Sequence, residues 1–216
     1  MRAALEAAVA RSLAGLPAEA CSAAEEAGEE LVSFLRLLLE RNAAMNLVSA
    51  RVAAPEPLAA HLADALFGLS FLPPSDGAKR RLLDVGSGGG FPAIPLLLVR
   101  RDLEGTLVDS VRKKCVFLAD AASRLALTLD VVNARFPDSF SMATRPFDVL
   151  TTRAVSSAGR LVRAARPLLA PGARALLWTT RPLVREAVRD SRANASAFHL
   201  APGAESRGVL VLERFT

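Results

Sequence analysis

A glycine-rich loop follows a short apolar strand between residues 82 and 91, where the chain reads Leu-Leu-Asp-Val-Gly-Ser-Gly-Gly-Gly-Phe. Asp84 lies near the end of the predicted strand, and glycines such as Gly86 and Gly88 adopt left-handed dihedrals at little cost because they lack a Cβ. A loop of this kind lets the backbone approach a ligand closely. The segment therefore predicts a ligand at this turn. The alternative is a glycine-rich turn that only joins a strand to a helix.

The residue at the sixth position of the loop separates two classes of nucleotide ligand. A dinucleotide-binding loop needs Gly or Ala there, where the helix packs on the strand beside the pyrophosphate. Here the position is Phe91, followed by Pro92. An acid before the loop and a crowded apolar exit favour a nucleoside ligand without a pyrophosphate. We therefore predict S-adenosylmethionine as the cofactor, bound near Asp84, Gly86 and Gly88.

A second acid lies at the end of the next predicted strand. Residues 105–110 read Gly-Thr-Leu-Val-Asp-Ser, and Asp109 comes 19 residues after Gly90. An acid at the end of the second strand, about 20 residues beyond the loop, receives the ribose hydroxyls in nucleotide-binding folds. Asp109 is therefore predicted to bind the ribose of the cofactor. Alternatively, it caps the helix that is predicted to start near Val111.

The chain divides into a helical part and an alternating part. Residues 2–72 predict three helices: one before Gly15, a long one from about Ala20 to Arg41, and one from Pro57 to Leu69. A linker is predicted at residues 73–77. Strands are then expected near 81–85, 105–109, 128–133, 147–152 and 173–179, with extended segments at 197–200 and 209–215.

Strands that alternate with helices predict a parallel, doubly wound α/β sheet. The last two extended segments are separated by little more than Pro202-Gly203, and so short a connection requires an antiparallel pair. We therefore predict a Rossmann-like class I methyltransferase fold with a mostly parallel seven-stranded sheet and one antiparallel strand. An N-terminal helical extension, residues 1–72, is expected to pack on the catalytic domain, residues 79–216.

Composition limits the broad class of the protein. A chain of 216 residues that is 51% hydrophobic suits one substantial domain with a small extension. Its apolar runs are shorter than the roughly 18 residues of a membrane span, and Glu6 and Arg11 interrupt any signal-like segment. Cys21 and Cys115 make no metal-ligand pattern, so reduced thiols are expected. These features predict a cytoplasmic protein without a metal site, and we expect a monomer.

Charge is distributed unevenly along the chain. Residues 1–78 carry 5 basic and 10 acidic side chains, whereas residues 141–216 carry 12 basic and 5 acidic ones. A basic catalytic half indicates a polyanionic partner such as a nucleic acid. Two rows of arginines at helical spacing extend this pattern: Arg160, Arg163 and Arg166, then Arg181, Arg185, Arg189 and Arg192. They predict an RNA-binding surface, and the alternative is a pair of solvated helix faces.

Five motifs together resemble the bacterial small-subunit (16S) rRNA guanine-N7 methyltransferases, also called the glucose-inhibited division protein B family. They are Asn42-Ala-Ala-Met-Asn46-Leu-Val, His61-Leu-Ala-Asp64, the segment 84–92, Leu107-Val-Asp-Ser with Lys113-Lys114, and Phe147-Asp-Val-Leu-Thr-Thr-Arg153-Ala154. The resemblance covers nearly the whole chain, and its first and last motifs are the most specific. It implies methyl transfer from S-adenosylmethionine to N7 of one guanine in 16S ribosomal RNA, with the small ribosomal subunit as partner.

The same resemblance implies the residues of the cofactor site. Gly86 and Phe91 would line it, Ala134 and Arg135 would lie at the adenine edge, and Arg153 would complete it. The family usually has Glu where this chain has Arg135, so an acidic side-chain contact is missing and only the backbone N–H remains to serve the adenine.

A second departure from the family pattern follows the fifth predicted strand. The family commonly has a Lys there, whereas this chain reads Trp178-Thr-Thr. Either Arg181 takes the role of that Lys, or a substrate contact is lost.

The loop after the fourth predicted strand limits which nucleophile can be methylated. Methyltransferases of exocyclic amines have an Asn/Asp-Pro-Pro-aromatic loop at this point, whereas residues 151–156 read Thr-Thr-Arg-Ala-Val-Ser. Neither cysteine lies at a strand end as a nucleophile would, and His61 and His199 are far from the loop in sequence. Guanine N7 carries no proton, so positioning alone suffices and no catalytic general base is predicted.

Several interpretations remain open at this stage. His61 and Asp64 form either an acid–base pair or a hydrogen bond that holds the helices on the sheet, and Arg153 either serves the site or pairs with Asp148 or another acid. Asn42 and its neighbour Asn46 cap a helix or bridge to the glycine-rich loop. The alternative functions are a small-molecule methyltransferase and an RNA-binding assembly factor with a vestigial pocket.

Overall fold

The computed structural model describes residues 2–140, 145–153, 155 and 157–213. Its helices are α1 (Arg2–Leu13), α2 (Ala18–Glu26), α3 (Gly28–Met45), α4 (Pro55–Leu66), α5 (Ala93–Val99), α6 (Arg112–Arg124), α7 (Ala158–Ala165) and α8 (Arg181–Ser191), with 3-10 helices at Phe67–Phe71 and Arg166–Leu168. Its strands are β1 (Arg80–Val85), β2 (Leu103–Asp109), β3 (Leu129–Asn133), β4 (Phe147–Arg153), β5 (Leu169–Thr180), β6 (Ala195–Leu200) and β7 (Arg207–Glu213).

The strands form one sheet in the order β3-β2-β1-β4-β5-β7-β6. Strands β1 to β5 are parallel, while β7 runs antiparallel to both of its neighbours, β5 and β6. The predicted mixed sheet with one antiparallel strand is therefore confirmed. Its order reverses between β1 and β4, and parallel sheets of this kind bind ligands outside the carboxyl ends of the strands at such a point.

Helices cover both faces of the sheet. Leu82, Leu107 and Val149 share one core cluster with α5, α6 and the N-terminal helices. On the opposite face, Leu83 and Leu150 belong to a second cluster with α7 and α8. The central strands are buried on both sides and consequently read as nearly continuous apolar runs. The N-terminal extension thus lies over one face only, and α7 and α8 form the outer layer of the other.

The long helix predicted over residues 20–41 is wrong, because the chain breaks at Ala27. This residue has φ −96° and ψ 15°, which ends α2 and lets α3 begin at Gly28. The apolar spacing continues across the break, so periodicity did not reveal it. The break lets α2 contact the 3-10 helix Phe67–Phe71, while α3 packs against α6.

The third helix also differs from its predicted bounds. It begins at Pro55, a residue suited to the first turn of a helix, and gives way after Leu66 to the 3-10 helix. Within that segment a Cβ on Gly68 would lie 2.5 Å from the Trp178 ring, so the chain passes this indole closely. Among the strands, β2 and β5 begin earlier than predicted, and Phe215 lies outside the described residues.

Candidate cofactor site

The strands flanking the reversal in strand order bring most of the predicted site residues to one edge of the sheet. Val85 pairs with Thr152 and Asp109 pairs with Asn133, so the carboxyl ends of β1, β4, β2 and β3 lie side by side. The glycine-rich loop leaves β1 at this edge. Residues 134 and 135 directly follow β3, and Arg153 is the last residue of β4. Ala154, the last residue of the predicted Thr-Arg-Ala motif, lies outside the described residues.

The glycine-rich loop has the backbone that its sequence predicts. Gly86, Gly88 and Gly90 have φ of 79°, 56° and 91°, a region that side chains with a Cβ rarely adopt. A Cβ on Gly86 would lie 2.8 Å from the Val155 side chain. A side chain at Gly86 would therefore both strain the backbone and collide with Val155.

The carboxylate of Asp109 holds this loop through its backbone. One oxygen accepts the Gly88 N–H at 2.9 Å, and the other accepts the Val111 N–H at 2.8 Å just before α6. The alternative interpretation, that Asp109 caps the next helix, is wrong, because α6 has Val111 at its N-cap and no side-chain capping hydrogen bond; the bond to the Val111 N–H closes a turn before the helix. A contact with ribose stays a prediction. Because the Gly88 N–H is already bound by a carboxylate, it is not free for a pyrophosphate. The arrangement fits a cofactor without one.

Asp84 lies beneath the loop as a completely buried carboxyl. One oxygen accepts the Thr151 hydroxyl at 2.6 Å, and the other has no hydrogen-bond partner within the described residues. Burial raises the pKa of Asp84 to about 7, partly offset by hydrogen bonds from Thr151 and Ser87. Of the two acids that border the loop, the carboxylate of Asp109 favours a cationic ligand such as a sulfonium, whereas the raised pKa leaves Asp84 partly protonated near neutral pH. Direct contact of Asp84 with the cofactor stays a prediction.

The residues implied for the adenine edge lie beside Asp109. The Ala134 N–H donates to the backbone oxygen of Asp109 at 3.2 Å, and the Asn133 side-chain amide donates to the same oxygen at 2.9 Å. Arg135 is exposed, with its side chain at the surface. These contacts fix the β3 end against the β2 end and leave the Arg135 contact with adenine a prediction.

The Phe91 side chain serves the core of the protein. Its ring packs against Phe34 of α3 at 5.2 Å and against the His61 imidazole of α4 at 4.6 Å, both measured between ring centroids. Only 5% of the residue is exposed. The Phe91 side chain therefore docks the N-terminal helices, and a contact of this residue with the cofactor stays a prediction.

Arg153 is held by α4 in a buried ion pair. Its guanidinium lies 2.7 Å from the Asp64 carboxylate and 3.0 Å from Nδ1 of His61, and the paired side chains are only 14% and 12% exposed. The alternative interpretation of Arg153 as an ion-pair partner of an acid is therefore present with Asp64; only Asp148 as that acid is wrong, since its carboxylate accepts the Arg81 backbone N–H at 2.8 Å. His61 and Asp64 thus hold the helices on the sheet, as one of the two interpretations proposed.

The environment of His61 disfavours its protonated form. Burial first, and then the charges of Arg153 and Arg207, lower the pKa of His61 to about 3. Burial also lowers the pKa of Arg153, against the opposing effect of Asp64. Because Nδ1 faces a guanidinium that can only donate, it is an acceptor in this contact. The imidazole is therefore a fixed neutral group and a poor proton shuttle at neutral pH.

Trp178 joins the same cluster, which the sequence did not reveal. Its indole N–H donates to the backbone oxygen of Asp64 at 2.7 Å, and Trp178 pairs with Arg153 across β4 and β5. A buried tryptophan does indicate that a hydrogen-bond acceptor lies close by, because the indole N–H needs one. The acceptor is a backbone oxygen in a distant helix, and no spacing pattern marks such an atom. Asp64 thus contacts the ends of two strands at once.

The Asn motif positions the end of α3 against the loop. Asn42 accepts the Val48 N–H at 2.9 Å through its side chain, and Asn46 ends the helix in a left-handed conformation with φ 50°. This turn brings the Leu47 backbone oxygen to where a Cβ on Gly89 would be only 3.1 Å away. The motif therefore acts through helix capping, and the loop is packed from the side of the extension.

Comparisons with known proteins agree with this arrangement. A family model described as rRNA small subunit methyltransferase G matches residues 27–199. The ribosomal RNA small subunit methyltransferase G of Leptothrix cholodnii is 38% identical over 74% of this chain and 72% of its own length. The protein of the same name from Alkalilimnicola ehrlichii is 41% identical over 73% of this chain and 68% of its own.

Among solved structures, a methyltransferase from Pyrococcus furiosus has a TM-score of 0.62 and 12% identity over 82% of this chain and 93% of that one. At this identity the likeness concerns the fold alone. It confirms that the sheet and its helices form a Rossmann-like methyltransferase fold.

Proposed function

Because this chain belongs to the rRNA small subunit methyltransferase G family, we propose that it transfers a methyl group from S-adenosylmethionine to N7 of a specific guanine in small-subunit (16S) ribosomal RNA. The observation that carries the proposal is the loop after β1. Its Gly88 N–H is bound by the Asp109 carboxylate, and Gly86, Gly88 and Gly90 have positive φ, which together suit a cationic nucleoside cofactor.

The cofactor site is proposed to lie along the edge formed by β1, β2, β3 and β4. Gly86 and Gly88 give the cofactor access to the loop backbone, and Asp109 lies where the ribose hydroxyls of such cofactors bind. The other residues proposed to surround the cofactor are Asp84, Phe91 through its backbone, Ala134, Arg135 and Arg153.

Catalysis is proposed to rest on positioning. S-adenosylmethionine supplies an electrophilic methyl group; the N7 lone pair forms the new C–N bond while the C–S bond breaks and its electrons stay on sulfur. No proton leaves the base, so no general base is needed. Among the described residues at this edge, His61 is buried against Arg153, and Asp109 is occupied by two backbone N–H groups. Both observations suit a nucleophile without a proton.

The organisation of the whole protein is also proposed. Residues 1–72 act as a helical extension that completes the site of the methyltransferase domain, residues 79–216, and the enzyme acts as a cytoplasmic monomer. In the described residues, no helix has the length and apolar composition needed to cross a membrane. Sedimentation should give the 22.8 kDa mass of one chain.

A transfer assay tests the activity. Purified protein is incubated with radiolabelled S-adenosylmethionine and small-subunit rRNA from a strain that lacks this enzyme, and with the same RNA from a strain that has it. Label should enter only the first RNA. Label in neither RNA, with the RNA bound but the cofactor not bound, would favour an RNA-binding assembly factor with a vestigial pocket. Transfer to small molecules alone would favour a small-molecule methyltransferase.

A further inference from the structure

Helices α7 and α8 form an outer layer rich in arginine. Residues 158–192 contain eight arginines and only two carboxylates. Seven of these arginines belong to α7, α8 and the residues that end them: Arg160, Arg163, Arg166, Arg181, Arg185, Arg189 and Arg192. All are exposed except Arg166, which is partly buried. We call these seven residues the arginine surface.

The arginines of this surface differ from those elsewhere in their partners. On the N-terminal extension, Arg2 pairs with Glu6 and Arg36 pairs with Glu40, each one turn away on the same helix. Within the described residues, the arginine surface has a single ion pair, between Arg189 and the adjacent Asp190. A general bias of the chain towards arginine does not explain this contrast, since both groups belong to one sequence. The positive charge here is left largely uncompensated.

The spacing of the arginines places them along one flank of each helix. On α8, Arg181, Arg185 and Arg189 follow one another at four-residue intervals, while Ala187 and Ser191 are buried. On α7, Arg160 and Arg163 lie three residues apart. At a rise of about 1.5 Å per residue, the row on α8 spans about 12 Å of the helix and the pair on α7 about 5 Å.

Close packing joins the two helices. A Cβ on Gly159 of α7 would lie only 2.3 Å from the backbone oxygen of Ala187 in α8, so the backbones are in direct contact there. Only glycine permits this approach. The two rows of arginines are thereby parts of one surface and not of two separate faces.

The arginine surface begins at the edge of the sheet that holds the proposed cofactor site. Helix α7 starts five residues after Arg153, and α8 starts immediately after β5, so both helices lead away from the carboxyl ends of the strands. The opposite face of the sheet is covered by the extension, and residues 1–78 have a net charge of −5. A polyanion that reaches the cofactor edge therefore meets largely uncompensated positive charge on the side of α7 and α8.

We propose that the arginine surface binds the phosphate backbone of the ribosomal RNA that flanks the target guanine. This inference rests on the proposed function for the identity of the polyanion. Arginine suits the task, because its guanidinium binds phosphate through two parallel hydrogen bonds. Backbone contacts of this kind hold the RNA in register and carry no sequence information themselves.

The test replaces Arg181, Arg185 and Arg189 together by Gln, with a second triple variant at Arg160, Arg163 and Arg166. The matched control replaces Arg2, Arg11 and Arg36, three arginines of the extension that pair with carboxylates. Each variant removes three positive charges. Binding of unmodified 16S rRNA and of small subunits is measured against salt, with the KM for RNA and the Kd for S-adenosylmethionine.

The logarithm of the RNA-binding constant falls as the logarithm of the salt concentration rises. Each lost phosphate contact should make this slope shallower by about 0.7 to 0.9. Both arginine-surface variants should therefore lose part of the salt dependence and show a raised KM for RNA, with an unchanged Kd for the cofactor. The control should bind RNA at least as well as the wild type, because its side chains lie in an acidic region. A variant that fails to fold is replaced by the other triple, since the rows are on separate helices.

The outcomes separate this inference from the proposed function. If the wild type methylates rRNA but both arginine-surface variants keep its salt slope and KM, the arginines form solvated faces and only the inference fails. The inference alone also fails if the control variant loses as much affinity for RNA as the two arginine-surface variants do. If the wild type neither binds nor methylates rRNA, the proposed function fails and the inference fails with it.

Discussion

At the scale of single residues, Gly86 controls access to the loop backbone. Its φ of 79° and the 2.8 Å approach of the Val155 side chain leave no space for a Cβ. We expect Gly86→Val to abolish binding of S-adenosylmethionine in calorimetry while the fold is retained. The left-handed region alone costs a branched residue about 1–2 kcal/mol.

The matched control for this prediction is Gly77→Val in the linker. Gly77 has a similar φ of 83°, but its Cβ position is open. This variant should therefore lose stability through its strained backbone and still bind the cofactor with wild-type affinity. Unchanged affinity in a folded Gly86→Val protein would mean that the cofactor binds elsewhere.

Asp84 makes stability depend on pH. Burial raises its pKa from the ordinary 3.8 to about 7, so the folded protein binds this proton more tightly than the unfolded chain does. The stability gained in this way is fully present below about pH 4 and is lost as pH rises through about 7. We expect the Tm of the wild type to fall relative to that of Asp84→Asn between these values. A Tm difference between the wild type and Asp84→Asn that stays constant with pH would contradict the raised pKa of Asp84.

At the scale of elements, α4 is tied to the ends of β4 and β5 through Asp64. The carboxylate pairs with Arg153 at 2.7 Å, and the backbone oxygen accepts the Trp178 indole N–H. We expect Asp64→Asn to reduce kcat/KM for S-adenosylmethionine about tenfold or more, each 1.4 kcal/mol being a factor of ten. The neutral side chain leaves the Arg153 charge buried and poorly held. Arg153→Lys should act similarly, because a Lys cannot reproduce the paired contacts.

A second ion pair between the extension and the catalytic domain supplies the control. Arg41 of α3 lies 2.8 Å from Asp120 of α6, and this pair is more exposed and contacts neither Arg153 nor Trp178. Asp120→Asn should leave kcat/KM near the wild-type value. If both Asn variants lose activity equally, Asp64 serves only to dock the extension. Restoration of activity in Asp64→Glu would support its role in orienting Arg153.

Some features of these elements could be predicted from the sequence and others could not. The order of strands and the loop were predictable because glycines, strand-end acids and apolar runs are local signals. The break at Ala27 was not, since the apolar period continues through it and the cause is packing of α2 and α3 on different neighbours. The partner of Arg153 was also missed, because Asp64 lies 89 residues away and only the fold brings them together.

At the scale of the whole molecule, the two faces of the sheet have different charge. The acidic extension closes one face and packs on the glycine-rich loop through Leu47 and Phe91. The other face carries α7 and α8 with their largely unpaired arginines. This asymmetry marks the side of α7 and α8 as rich in unpaired positive charge, and it was readable from the sequence only as an uneven count of charges. Its spatial meaning depended on which helices cover which face.

The most direct test of guanine-N7 methylation is to identify the atom that receives the methyl group. The wild-type enzyme is incubated with S-adenosylmethionine and unmodified small-subunit rRNA, and the RNA is then treated with alkaline borohydride and aniline, which cleave at 7-methylguanosine. We expect cleavage at a single position and 7-methylguanosine as the only new methylated nucleoside. Methyl groups on an exocyclic amine, a ribose or a protein would contradict both the positioning mechanism and the assigned function.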